Sequence, residues 1–222
     1  MKKKKKIKKK RLRFRFTFAQ VFETLLALFL MGYGLYHWVY LPILDKWISP
    51  IVAVEPNNVY GVEVITDFIE ENSHNRPGIK REIKYIVIHE TGNDEYGSTA
   101  KNHSTYLKKN SKVENSWHYT VDDHEIYHHL PDDEVGWHAS DGLTKNGGNL
   151  NGIGIEICVN DDGNFNQAVD NAARLTAYLL HSYRLDIKDI KQHADFTKKN
   201  CPENLRNTGQ WDTFIEKVKE YY

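Results

Sequence analysis

The sequence predicts an α/β domain: a single domain with a central, mostly mixed β-sheet flanked by helices, preceded by one N-terminal transmembrane helix. Three observations carry this. The runs "IKYIVIHET" (83–91) and "GIGIEICVN" (152–160) are apolar, rich in β-branched residues and of strand length. The stretch "NQAVDNAARLTAYLLHSYRL" (166–185) places Val169, Ala172, Ala173, Thr176, Leu179 and Leu180 on one helical stripe. From Phe16 to Leu44 the only charged residue is Glu23, over an apolar length that reaches the ~20 residues of a membrane-spanning helix.

The N-terminus comes first. Residues 1–15 hold eleven of the 30 Lys and Arg and no acid, so the remaining chain carries 19 basic against 30 acidic residues, a net of −11. That split assigns the two parts to different environments and excludes nucleic-acid binding by the folded part, which lacks the basic surface. A basic block ahead of an apolar segment stays cytoplasmic by the positive-inside rule. The expected order is a cytoplasmic segment (1–15), a transmembrane signal anchor (16–44), a stalk (45–59) and an extracellular domain (60–222). This makes a single-pass protein of the cell membrane. A cleaved signal peptide is the competing reading, although no A-x-A-like site follows the apolar run. At this length one domain with one core is expected, working as a monomer.

Within the domain, "YGVEVITDFI" alternates like an edge strand and "SHNRPGIK" reads as a loop. A helix is expected over 98–109 with Ser98 as its cap. "SWHYTVDDHEIYHHL" reads as a hairpin turning at Asp122-Asp123-His124, with His124, His128 and His129 on its surface. The turn "DDGN" closes the second apolar strand, and a last helix runs from about Gln210 to Tyr221.

The chemistry starts in "KQHADFTKKNCPENL" (191–205), where His193 precedes Cys201 by eight positions. Imidazole and thiolate both suit zinc, but no zinc-finger spacing is present, so a third ligand must come from elsewhere. His89, closing an apolar strand, is available. Two neutral imidazoles and one thiolate would leave a net +1 on zinc and a coordination position open, the catalytic arrangement. Glu156 stands alone in the buried-looking strand "GIGIEIC". A buried carboxylate needs a partner, and an attacking water needs a proton acceptor. Lys199, two residues before Cys201, is placed to stabilise an oxyanion. Two cysteines make no disulfide framework; Cys158 reads as a small buried hydrophobe and Glu90 as pointing to the opposite strand face from His89.

In this order, "IVIHET", "SWHYTVDD", "VGWHAS", "GIGIEIC" and "HADFTKKNCP" resemble the zinc-dependent N-acetylmuramoyl-L-alanine amidases of the amidase type 2 family, akin to peptidoglycan recognition proteins. The resemblance covers about residues 60–222. It implies Zn2+ on His89, His193 and Cys201, Glu156 as catalytic base, Lys199 as transition-state helper, and Trp117, His118 and His138 as substrate-groove residues. Read without it, His118 and His138 are structural or surface histidines. The implied reaction is cleavage of the amide between the lactyl group of N-acetylmuramic acid and L-Ala, on peptidoglycan or muropeptides. Three rivals stand beside it: a non-catalytic peptidoglycan-binding module, a zinc endopeptidase on the stem peptide, and a membrane scaffold that docks a partner.

Overall fold

The structure, a computed structural model, describes residues 18–40 and 55–222. It divides into two units, Met1–Pro50 and Ile51–Tyr222. In the first, helix α1 (Phe18–Leu35) passes into a π-helical turn over Tyr36–Tyr40. Among the described residues no helix is long and apolar enough to cross a membrane. The span expected over 16–44 is therefore not found among the described residues, which include 18–40 of it. The polybasic segment, residues 41–44 and most of the stalk lie outside the described residues.

The second unit is built on a seven-stranded sheet: β1 (Asn58–Val59), β2 (Val62–Thr66), β3 (Tyr85–Glu90), β4 (Tyr119–Val121), β5 (Glu125–His128), β6 (Gly152–Ile157) and β7 (Ile190–Gln192). Its order is β1-β2-β5-β4-β6-β3-β7. The pairs β1/β2 and β4/β5 are antiparallel and the other four parallel, so the sheet is mixed. The run "YGVEVITDFI" supplies β2, one strand in from the edge, because the two-residue β1 covers its outer side. The helices are α2 (Ala100–Lys109), α3 (Gly148–Asn151), α4 (Phe165–Tyr183), α5 (Glu203–Asn207) and α6 (Trp211–Tyr221).

Period-two alternation sorts the central strands into two faces. Ile86 and Ile88 of β3, Ile153, Ile155 and Ile157 of β6, and Tyr119 and Val121 of β4 join the main core with Ala172, Ala173, Leu175, Leu179 and Leu180 of α4 and Phe214 and Val218 of α6. The alternate positions, His89, Gly154, Glu156 and Thr120, belong to the other face, and the β3/β6 register sets His89 opposite Glu156.

The helix expected from Ser98 begins at Ala100, capped by Thr99, whose hydroxyl accepts from the Asn102 N–H. Asp122 explains the placement: one carboxylate oxygen accepts from the His124 and Glu125 N–H groups in the hairpin turn, while the other accepts from the Ala100 N–H at 2.9 Å. The hairpin turn thus fixes where α2 starts. His124 is exposed, but His128 and His129, expected on the hairpin surface, are fully buried. His128 stacks on Tyr119 at 4.1 Å and faces Asp132 across 3.3 Å, while His129 Nε2 lies 2.8 Å from the Thr120 hydroxyl.

Candidate metal centre and active site

Where β3 and β6 end, His89 meets His193 and Cys201, which the sequence places more than a hundred residues further along the chain. His89 is the penultimate residue of β3; His193 follows directly on β7, β3's neighbour; Cys201 comes at the end of the loop that leaves it. The donor atoms of His89, His193 and Cys201 lie within 4.8 Å of one another, and all three residues are buried. His89 Nδ1 is 3.0 Å from His193 Nδ1 and 3.8 Å from Cys201 Sγ. The Ala194 N–H donates to the Cys201 carbonyl at 3.1 Å, closing the loop on itself. Both cysteines are free, and Cys158 is buried at the end of β6 away from the cluster's donors.

Burial sets the protonation of these groups. It pushes His89 well below the usual imidazole range, with His138 adding to the effect, and His193 down to about 4, helped by the Lys199 ammonium. Burial also raises the Cys201 thiol to about 12, with Glu156 next in effect. The imidazoles therefore keep lone pairs, while the thiol keeps its proton until a cation replaces it.

Glu156 stands beside this cluster. Its Oε1 is 3.9 Å from His89 Nδ1, and its side chain is 13% exposed. Burial pushes the carboxyl up to about 7, against the pull of Lys199. Its Oε2 is buried with no hydrogen-bond partner among the described residues. A structural carboxylate would satisfy that oxygen; one kept for a transferable proton leaves it open.

Glu156 and Lys199 lie where two cavities meet, each of about 310 Å³. The first is lined by Ser98, Asn102, His103, Tyr106 and Trp117, among others. The second includes Trp137, His138, Ser140, Asn149 and His193; Asn115, Glu156 and Lys199 border both. Trp117 and His138 thus border cavities, while His118 borders neither. His118 is fully buried: the Gly154 N–H donates to its Nδ1 at 3.0 Å, and its Nε2 lies 3.0 Å from the Glu134 carbonyl. Sequence reasoning missed Asn102, His103 and Tyr106. The signal was the i, i+4 pair Asn102/Tyr106 on α2, whose burial pattern could not be known before the hairpin was placed against it.

Glu90 has a role that the strand-face argument did not reveal. Its carboxylate accepts from the backbone N–H groups of Asn204 and Leu205 at 2.8 and 2.9 Å. It thereby ties the segment just after Cys201 to the strand that carries His89.

Comparison with known proteins agrees with this geometry. Residues 79–204 match the amidase type 2 family, described as N-acetylmuramoyl-L-alanine amidase. The chain is 44% identical over 153 residues to the Bacillus subtilis (strain 168) N-acetylmuramoyl-L-alanine amidase XlyA, covering 69% of this chain and 50% of that protein. It is 41% identical over 157 residues to CwlH, an amidase of the same organism, covering 71% and 61% respectively. The chain thus spans about half to three-fifths of the length of these curated relatives. The solved catalytic domain of XlyA superposes with a TM-score of 0.67 at 43% identity, covering 71% of this chain and 99% of the domain. PlyL superposes at 0.66 with 27% identity, covering 72% and 99%. With the family match extending over more than half of its length, the chain belongs to the amidase type 2 family of N-acetylmuramoyl-L-alanine amidases.

Proposed function

We propose that this chain is a zinc-dependent peptidoglycan hydrolase that cuts the amide between the lactyl group of N-acetylmuramic acid and the L-Ala of the stem peptide. The observation that carries the reading is Glu156, a partly buried carboxylate with one buried, unpartnered oxygen, set beside a His-His-Cys donor cluster at the junction of two cavities.

The residues fit the metal. Tetrahedral zinc with Zn–N of about 2.0–2.1 Å and Zn–S of about 2.3 Å separates its ligand atoms by roughly 3.3 Å (N to N) and 3.6 Å (N to S). The 3.0 and 3.8 Å separations around His89 Nδ1 come close to both. When bound, zinc supplies polarisation of the scissile carbonyl and a water acidic enough to attack near neutral pH. His89, His193 and Cys201 would hold it and leave a fourth position open.

The other steps belong to the chain. Glu156 takes the proton of the attacking water on a carboxylate oxygen and returns it to the departing L-Ala nitrogen, one group serving as base and then acid. Burial raises this carboxyl toward neutral pH, which favours its serving both roles there. The Lys199 ammonium, bordering both cavities, offers positive charge to the developing oxyanion. Two cavities meeting at this pair give room for chain on either side of the scissile bond, and we assign Trp117 and His138 to their walls. A pure binding module leaves the open oxygen of Glu156 unexplained.

The domain's working place is proposed outside the cytoplasmic membrane, where peptidoglycan lies; the polybasic residues 1–15, retained on the cytoplasmic side, are what supports this. Fractionation and protease accessibility in intact cells check it. The reaction is tested by incubating zinc-loaded protein with peptidoglycan and identifying new ends by mass spectrometry. Free L-Ala amines beside intact lactyl-bearing glycan are expected. Cuts within the stem peptide would replace the bond, and no new ends despite muropeptide binding would replace catalysis by recognition.

A further inference from the structure

We propose that His138 is a positioning residue for the metal centre: it fixes which nitrogen of His89 carries the proton, so that the lone pair of His89 Nδ1 faces His193 and Cys201. This rests on reading the His-His-Cys cluster as a metal site.

The inference follows a chain of two hydrogen bonds. His138 Nε2 lies 3.1 Å from the Gly152 carbonyl. A carbonyl oxygen can only accept, so the proton is on His138 Nε2. In the neutral ring Nδ1 is then a lone pair, and it lies 2.9 Å from His89 Nε2. His89 must therefore donate from Nε2, which leaves its Nδ1 unprotonated, 3.0 Å from His193 Nδ1. A ligating histidine whose other nitrogen is held in this way has its tautomer and ring orientation set before the metal arrives.

The surroundings are built to hold the His138 ring in that place. Asn149 Oδ1 accepts from both the His138 and Ala139 backbone N–H groups, at 2.7 and 2.6 Å. A Cβ on Gly154 would come within 2.7 Å of His138 Cγ, so β6 carries glycine just where the ring lies against it. His138 is only 6% exposed. Its small share of the second cavity's wall is secondary to its grip on His89.

The test uses the full chain and two variants. His138→Phe keeps a ring of similar volume without an acceptor; His138→Asn returns an oxygen close to the position of Nδ1. Zinc affinity is measured by competition with a chromophoric chelator, and folding by circular dichroism of the metal-free proteins. Imidazole 15N shifts report the His89 tautomer in the metal-free parent. His138→Phe is expected to lose about 10–100-fold in zinc affinity, His138→Asn to recover most of it, and parent His89 to be protonated at Nε2. A folded His138→Phe that binds zinc as tightly as the parent overturns the proposal, and so does a parent His89 protonated at Nδ1. If His138→Phe does not fold, the 15N shifts of the parent decide. A parent that binds no zinc would bring down the metal reading instead, and the same shifts would still decide what His138 does to His89.

Discussion

Glu156 should make the metal-free protein less stable as pH rises, and Glu156→Gln should remove that dependence. The sign follows from the raised pKa. Folding lifts the carboxyl from 4.5 to about 7, so between these values the folded state binds more protons than the unfolded one. Stability conferred by the neutral, buried acid is then present below about 4.5 and lost as pH climbs to about 7. A shift of about 2.5 units at ~1.4 kcal/mol each gives roughly 3 kcal/mol between pH 4 and pH 8. The variant's amide has its own burial cost, but that cost is the same at both pH values and cancels. The assay is thermal unfolding of parent and variant in chelator at pH 4 and pH 8. For a domain of this size the melting-temperature gap, variant minus parent, should widen by roughly 6–12 °C toward pH 8. A gap that stays constant, or narrows, refutes the argument that Glu156 is held as a desolvated acid.

Other consequences are equally open to measurement. Chelation should abolish hydrolysis and zinc restore it; Cys201→Ser should bind zinc far more weakly, as calorimetry would show. The pH–rate profile should carry an acidic limb at or below about 7, because activity needs ionised Glu156 and a bound cation's charge opposes burial. Glu90→Ala would leave the Asn204 and Leu205 N–H groups without their acceptor. It should cost about 2–3 kcal/mol by denaturant titration and weaken zinc binding through the Cys201 segment. Asp132→Ala would strip the fully buried Tyr119 and Tyr183 network of the oxygen that accepts from both hydroxyls at 3.0 and 2.7 Å. A loss of about 2–4 kcal/mol is expected from denaturant midpoints, since two buried hydroxyls lose their acceptor.

Which parts of this site could be read from the sequence depended on how local the signal was. His89 and Glu156 were legible because each interrupts a short apolar run, and an interruption at strand period states which face it occupies. His193 and Cys201 were legible as a pair of soft ligands without a finger spacing. His118 and His138 were not separable: each directly follows a tryptophan. The pairing of β4 with β6 puts His118 against the Gly154 N–H, while Asn149 holds the His138 backbone so that its ring lies beside His89. The buried His128 and His129 were misjudged because His128 takes the core face of β5 with Ile126, stacked on Tyr119, and His129 lies against Thr120 on the other side, neither of which the alternation states. The expected membrane span relied on composition over 16–44, and among the described residues no helix is long and apolar enough to cross a membrane.

The same strand that stabilises the fold also aims its chemistry. Ile153, Ile155 and Ile157 are fully buried against α4, and Gly154 and Glu156 take the intervening positions. A one-residue slip of β6 would exchange the faces, driving Glu156 into the apolar core and leaving three isoleucines over the cavities. The cost of burying that carboxylate without Lys199, added to the loss of three packed side chains, makes the slipped register far less stable. The register that the core enforces is the one that pairs Glu156 with His89. Precision at the site therefore comes from apolar residues that touch no substrate, and conservative truncations such as Ile155→Val should loosen catalysis through that register rather than through any contact with the reacting groups.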